Sequence, residues 1–246
     1  GLTMAIKQAA NSAAITLAAL AATAVGSWLF VRRQNRLDDP LLTFDIFRSR
    51  LFTGGVLAAA GGMFVLAGAE LMTTQKLQLV DELTPLTAGA TVAVMAAAAI
   101  PASTLGGAYL HKVGFLPLIA GGFAGAVVGL GALVAGGTSI GMVLGLVLLG
   151  LSAGSVMSVS SIAIIGSAPM HRSGMAAGVE EVSYELGTLV TVALTGSLLQ
   201  AGLDRGVEYA HAYNGVIVVL GAAAAVFCAA TAVCFRGNPK SGGIRA

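Results

Sequence analysis

The chain has 246 residues, of which 57% are apolar and only 10% charged, and its net charge is +2. A soluble domain with a solvated surface does not have that composition, and so small a charge with no basic stripe excludes nucleic-acid binding. A helix crosses about 30 Å of hydrocarbon with roughly 20 apolar residues, so this length holds several spans and no separate soluble domain. The alternating ten-residue pattern of a membrane β-barrel is absent and the apolar runs are too long for such strands, which leaves an all-α polytopic membrane protein.

Seven apolar runs predict seven transmembrane helices, over residues 8–31, 51–73, 85–108, 115–134, 140–166, 174–200 and 212–235. The first follows Lys7 and meets Arg32 and Arg33 with no small-residue cleavage site between, so it reads as a span and not as a signal peptide. Near the end of the second run, Glu70 is expected at the interface, paired with Lys76. Pro101 and Pro117 predict local bends in the third and fourth helices. Glycines at four-residue spacing, Gly121, Gly125 and Gly129 and then Gly137, Gly141 and Gly145, predict close approach of helix backbones.

The fifth run contains Gly150, Ser152 and Gly154, which match the G-x-S-x-G elbow of serine hydrolases. That elbow needs a strand-turn-helix context, whereas this one lies in an unbroken apolar helix with no histidine at the same depth. Ser155, Ser158, Ser160 and Ser161 read as packing or cavity-lining groups. Cys228 and Cys234, six apart in the last run, read as small apolar residues, and His111, His171 and His211 fall in loops or at helix ends with no metal-ligand cluster, so no cofactor is expected.

Lys and Arg in the connections fix the orientation. Taken alternately, one side collects ten (Arg32, Arg33, Arg36, Arg48, Arg50, Lys112, Arg172, Arg236, Lys240 and Arg245) and the other three (Lys7, Lys76 and Arg205). The first side is therefore expected to be cytoplasmic, with the N-terminus outside and the C-terminal tail inside a cell membrane.

The sixth run carries the chemistry. Glu180, Glu181 and Glu185 place three carboxyl groups within six residues of an apolar span, at about 2.5–3.5 kcal/mol each when facing hydrocarbon. Glu181 and Glu185 share a helix face, and Glu180, Tyr184, Thr191 and Thr195 form an adjoining stripe, so the polar side is expected to meet a water-filled cavity or a partner within the bundle. Two like charges at that spacing repel in a low dielectric, which favours a proton on one of them. A proton carrier needs that property. On this reading Glu181 and Glu185 bind the coupling proton, Glu180, Glu181 and Glu185 attract a lipophilic cation, and Tyr184 offers it a ring face.

Three stretches carry a family resemblance. Residues 168–187 (APMHRSGMAAGVEEVSYELG) are similar to the penultimate-helix signature of pumps that export quaternary ammonium and other lipophilic cations. Residues 40–52 (PLLTFDIFRSRLF) resemble the amphipathic approach to the ninth helix of the fourteen-helix drug:proton antiporter group of the major facilitator superfamily. Gly106, Gly107, Tyr109, Leu110, His111, Lys112 and Gly114 resemble that superfamily's short cytoplasmic loop. The resemblance implies helices eight to fourteen of such an antiporter. Residues 1–36 would be a linker span with a basic cytoplasmic end, 37–50 a cytoplasmic amphipathic segment, 51–235 a six-helix C-terminal bundle built as a 3+3 inverted repeat, and 236–246 a cytoplasmic tail. Its partners would be protons, cationic drugs, the bilayer and an N-terminal half. The odd count and the outside N-terminus fit a chain that begins between two spans. A seven-helix receptor or binding protein shares the count but gives no reason for three glutamates in one span; a non-transporting fragment is the other alternative. An enzyme is disfavoured, for want of a nucleophile-base pair or metal cluster.

Overall fold

A computed structural model describes residues 13–34, 36, 44–135 and 139–236, without the side chains of 13–20, 44 and 139. Seven α-helices follow one another: α1 (Ala13–Gln34), α2 (Arg50–Leu79), α3 (Pro85–Val113), α4 (Phe115–Ala135), α5 (Ser139–Gly166), α6 (Ser173–Asp204) and α7 (Tyr209–Phe235). Each matches one predicted span. Short 3-10 turns at Phe44–Arg48 and Met170–Arg172 precede α2 and α6, and the described residues contain no strand. Six helices, α2 to α7, are long and apolar enough to cross a membrane among the described residues. Of the amphipathic segment 37–50 only residues 44–50 are described, and of the tail only Arg236; Gly137 also lies outside them.

The chain forms two compact units, 1–45 and 46–246. In the first, α1 ends on Arg32 and Arg33, and the Arg32 guanidinium lies 5.1 Å from the Trp28 ring centre. In the second, caps mark where helices begin and end. The Ser49 hydroxyl accepts from the Phe52 N–H and opens α2, and Thr84 does the same for Thr87 ahead of Pro85 in α3. Gly114, at φ 90°, is the whole connection between α3 and α4, in a backbone conformation that glycine tolerates. Pro117 falls in the first turn of α4, where an N–H has no helical partner, so the bend expected there is not required.

The packing of α2 to α7 repeats. α3 lies on α5 and α6 on α2; α4 packs on α5 and α7 on α2; α2 meets α5 and α4 meets α7, while α3 and α6 do not touch among the described residues. Exchanging α2 with α5, α3 with α6 and α4 with α7 maps this pattern onto itself, a minor α2–α4 contact being the one departure. Helices α2–α4 and α5–α7 thus hold equivalent places in the contact pattern. In this arrangement α2 is buried over most of its length, whereas α3 and α6 each bury one narrow stripe and leave the rest of their surface open.

Glycines set the closest crossings. A Cβ on Gly150 or Gly154 of α5 would collide with the carbonyl oxygens of Met95 and Ala99 on α3, and one on Gly187 of α6 with the Ala60 carbonyl on α2. On α4, Gly129 approaches Gly145 of α5, where a Cβ on Gly129 would stand 3.0 Å from the Gly145 carbonyl oxygen. The predicted glycine stripe is corrected in register: Gly122, Gly125 and Gly129 meet α5, while Gly121 faces open space. Gly122→Ala is therefore expected to cost about 1–3 kcal/mol against Val156. Gly121→Ala is expected to be neutral or to gain up to about 1 kcal/mol of helix propensity. Thermal unfolding of the two variants in detergent checks the contrast.

Candidate functional site

The buried stripe of α6 is Ala176, Glu180, Ser183, Gly187, Thr191, Thr195 and Leu199, spaced by three or four residues and packed chiefly on α2. Glu180 belongs to this seam and is only 9% exposed. The Tyr184 hydroxyl, one turn on, donates to its Oε1 at 2.8 Å. Tyr184 is half-buried and packs against a small cluster of Phe52 and Ala59 from α2, Ile164 from α5 and Ala176 from α6. The fully buried Ser160 of α5 stands beside the Tyr184 hydroxyl and donates its own proton to the Met157 carbonyl at 2.9 Å.

Glu181 and Glu185 lie elsewhere on the helix. At about 100° per residue, the order around α6 is Glu180, Tyr184, Glu181, Glu185, with steps of about 40°, 60° and 40°. Glu181 and Glu185 are exposed, and neither has an ion-pair partner among the described residues. Gly174 and Gly178, on the same face, open onto free space. The expectation that all three carboxyl groups occupy one side is corrected: one is packed inside, two stand on the open face, and Tyr184 sits at the boundary. The hydroxyls of Ser183, Thr188 and Thr195 fold back onto carbonyls of their own helix at 2.6, 3.0 and 2.7 Å, which satisfies them without a ligand. Thr191, 0% exposed and against Gly68, has no partner for its hydroxyl among the described residues.

The expected pairing of Glu70 with Lys76 is not made. Six residues apart, the two point to different sides of α2. Lys76 instead reaches Asp81 at 3.8 Å and lies 5.7 Å from the ring centre of the buried Tyr213, pinning α2 to α7, while Glu70 is exposed. No sequence signal beyond the apolar setting of Tyr213 pointed to this contact. The G-x-S-x-G pentapeptide lies within α5, where Gly150 and Gly154 serve the crossing with α3 and Ser152 donates to the Leu148 carbonyl at 2.7 Å. The described residues hold no group of His, Cys, Asp and Glu able to bind a metal. The three histidines are exposed, with His211 3.5 Å from Glu208, and both cysteines are free thiols. The space enclosed between α2, α4 and α5 is lined by Gly62, Val65, Phe123, Leu149 and Ser152 among others and contains no titratable group. Within the candidate spans, exposed carboxylates therefore stand on α6, at Glu181 and Glu185, and near the end of α2, at Glu70.

The chain is 35% identical over 222 residues to the multidrug efflux pump LfrA of Mycolicibacterium smegmatis, covering 83% of the chain and 42% of the relative. It is 30% identical over 184 residues to the methyl viologen resistance protein SmvA of Salmonella typhimurium, covering 73% and 37%. It is 28% identical over 195 residues to the multidrug resistance protein Stp of Mycobacterium tuberculosis, covering 78% and 36%. No family model matches the chain. The chain thus spans about two-fifths of the length of these curated relatives.

Proposed function

The chain belongs with these multidrug efflux pumps to the drug:proton antiporter group of the major facilitator superfamily, and from that premise we propose that it is the C-terminal half of a proton-coupled transporter that exports lipophilic or quaternary ammonium cations. On this reading residues 51–235 would form the C-terminal bundle in the cell membrane, residues 1–36 would include the span that links it to an N-terminal half, and 236–246 would be a cytoplasmic tail.

One observation carries the reading: Glu181 and Glu185 stand one turn apart on the open face of a membrane span. Facing lipid, each would cost about 2.5–3.5 kcal/mol, so the face is best accommodated against a water-filled cavity shared with the missing half. Two carboxylates about 6 Å apart along the axis attract a cation when ionised and hold a proton when the cation has left. Tyr184 presents its half-open ring beside them, with its hydroxyl held from behind by the Glu180 carboxyl. Competition between proton and cation for one site, opened alternately to either side, yields exchange.

Inverted membrane vesicles loaded with a full-length transporter carrying these helices test the proposal. An imposed pH gradient is expected to drive uptake of a fluorescent cation and a protonophore to collapse it; uptake indifferent to the gradient would reject proton coupling. Orientation is tested separately. A cysteine replacing Met170, which is 94% exposed in the turn before α6, in a background where Cys228 and Cys234 are alanine, should react with an impermeant maleimide only from the cytoplasmic side. Labelling from outside in intact cells would invert the topology.

A further inference from the structure

We propose that Glu180 is a positioning residue for the Tyr184 ring and not a carrier of the coupling proton. The inference rests on the reading above in which Tyr184 offers its ring to the cation. The geometry separates Glu180 from the other two carboxyl groups: it faces the α2 seam, is 9% exposed, and accepts the Tyr184 hydroxyl at 2.8 Å. Around the helix the Tyr184 ring stands between it and the face that carries Glu181 and Glu185.

What the contact does is mechanical. Tyr184 is held at its Cα by the helix and at its hydroxyl by the residue one turn earlier, so the phenol is tied down at both ends. Ile164 of α5, Phe52 and Ala59 of α2 back the ring, and Ser160 stands next to its hydroxyl with its own proton already committed to Met157. The ring therefore stays at the boundary between the seam and the face carrying Glu181 and Glu185. Without the anchor it must be ordered each time a cation binds, which weakens binding without changing which groups titrate.

An accepting oxygen is all the role requires, and glutamine has one. The test uses purified full-length transporter and the fluorescent planar cation ethidium, with binding measured at fixed pH and no gradient, alongside pH-driven efflux from vesicles. Glu180→Ala and Tyr184→Phe are each expected to weaken ethidium binding by about fivefold, in the range of one exposed cation–π contact. Glu180→Gln should restore binding to within about twofold of the native protein, and the pH midpoint of efflux, read at ethidium far below its Kd, should be the same in all three variants. Loss of pH-driven efflux in Glu180→Gln with binding intact would overturn the inference by making Glu180 a proton carrier. Native binding strength in both Glu180→Ala and Tyr184→Phe would overturn it as well. If the native protein binds ethidium but shows no pH-driven efflux, the antiport reading fails, while the binding comparison still decides the role of Glu180.

Discussion

Glu181→Gln is expected to reduce pH-driven efflux of a fluorescent cation to background while the protein still reaches the membrane, and Glu185→Gln to do nearly the same. Both side chains are exposed and make no ion pair among the described residues, so the amide removes charge and titration without breaking a contact on which folding depends. A cation loses one fixed negative charge within a few ångströms, which in a partly screened site corresponds to roughly tenfold in affinity. The proton loses one of the two carboxyl groups between which it is held. Glu181→Asp keeps the carboxyl and should retain measurable coupling. Efflux unchanged in both glutamine variants would remove the acidic face from the mechanism.

The second large effect concerns the fold. Gly154→Leu on α5 should prevent assembly, because even a Cβ there collides with the Ala99 carbonyl of α3 and backbone cannot yield as a side-chain end does. A cost of about 3 kcal/mol or more is expected, read as loss of the protein from membranes and a lowered Tm in detergent. Ser152→Ala, two residues away, removes only a bond back to Leu148 and should stay within about 1 kcal/mol of the native protein. The pair separates a helix-crossing motif from a nucleophile elbow: the elbow reading requires Ser152 to be the sensitive position.

The helix count and type were legible because lipid leaves few options. Apolar runs of 20 or more residues become helices, and α2 to α7 begin within two or three residues of where those runs begin. Glycine spacing announced close crossings but not their register, since a four-residue stripe does not say which of two adjacent glycines meets a neighbour; Gly122 faces α5, and Gly121 does not. The acidic run in α6 was equally plain as a cluster and opaque as a geometry. A helical wheel gives angles between Glu180, Glu181 and Glu185, but only the packing on α2 decides which of them turns inward. The four-residue spacing of Glu180 and Tyr184 was present in the sequence as a signal for the bond between them. Lys76 was drawn away from Glu70 by Asp81 and the Tyr213 ring, partners that lie beyond the helix end and on α7.

An antiporter in which proton and cation compete for Glu181 and Glu185 must release protons when it binds the cation. The most direct measurement is the pH change on adding ethidium to concentrated, weakly buffered full-length protein, followed with an indicator dye. Proton release that saturates with binding and disappears in the Glu181→Gln, Glu185→Gln double variant is the predicted result; saturable binding with no release of protons would contradict the account.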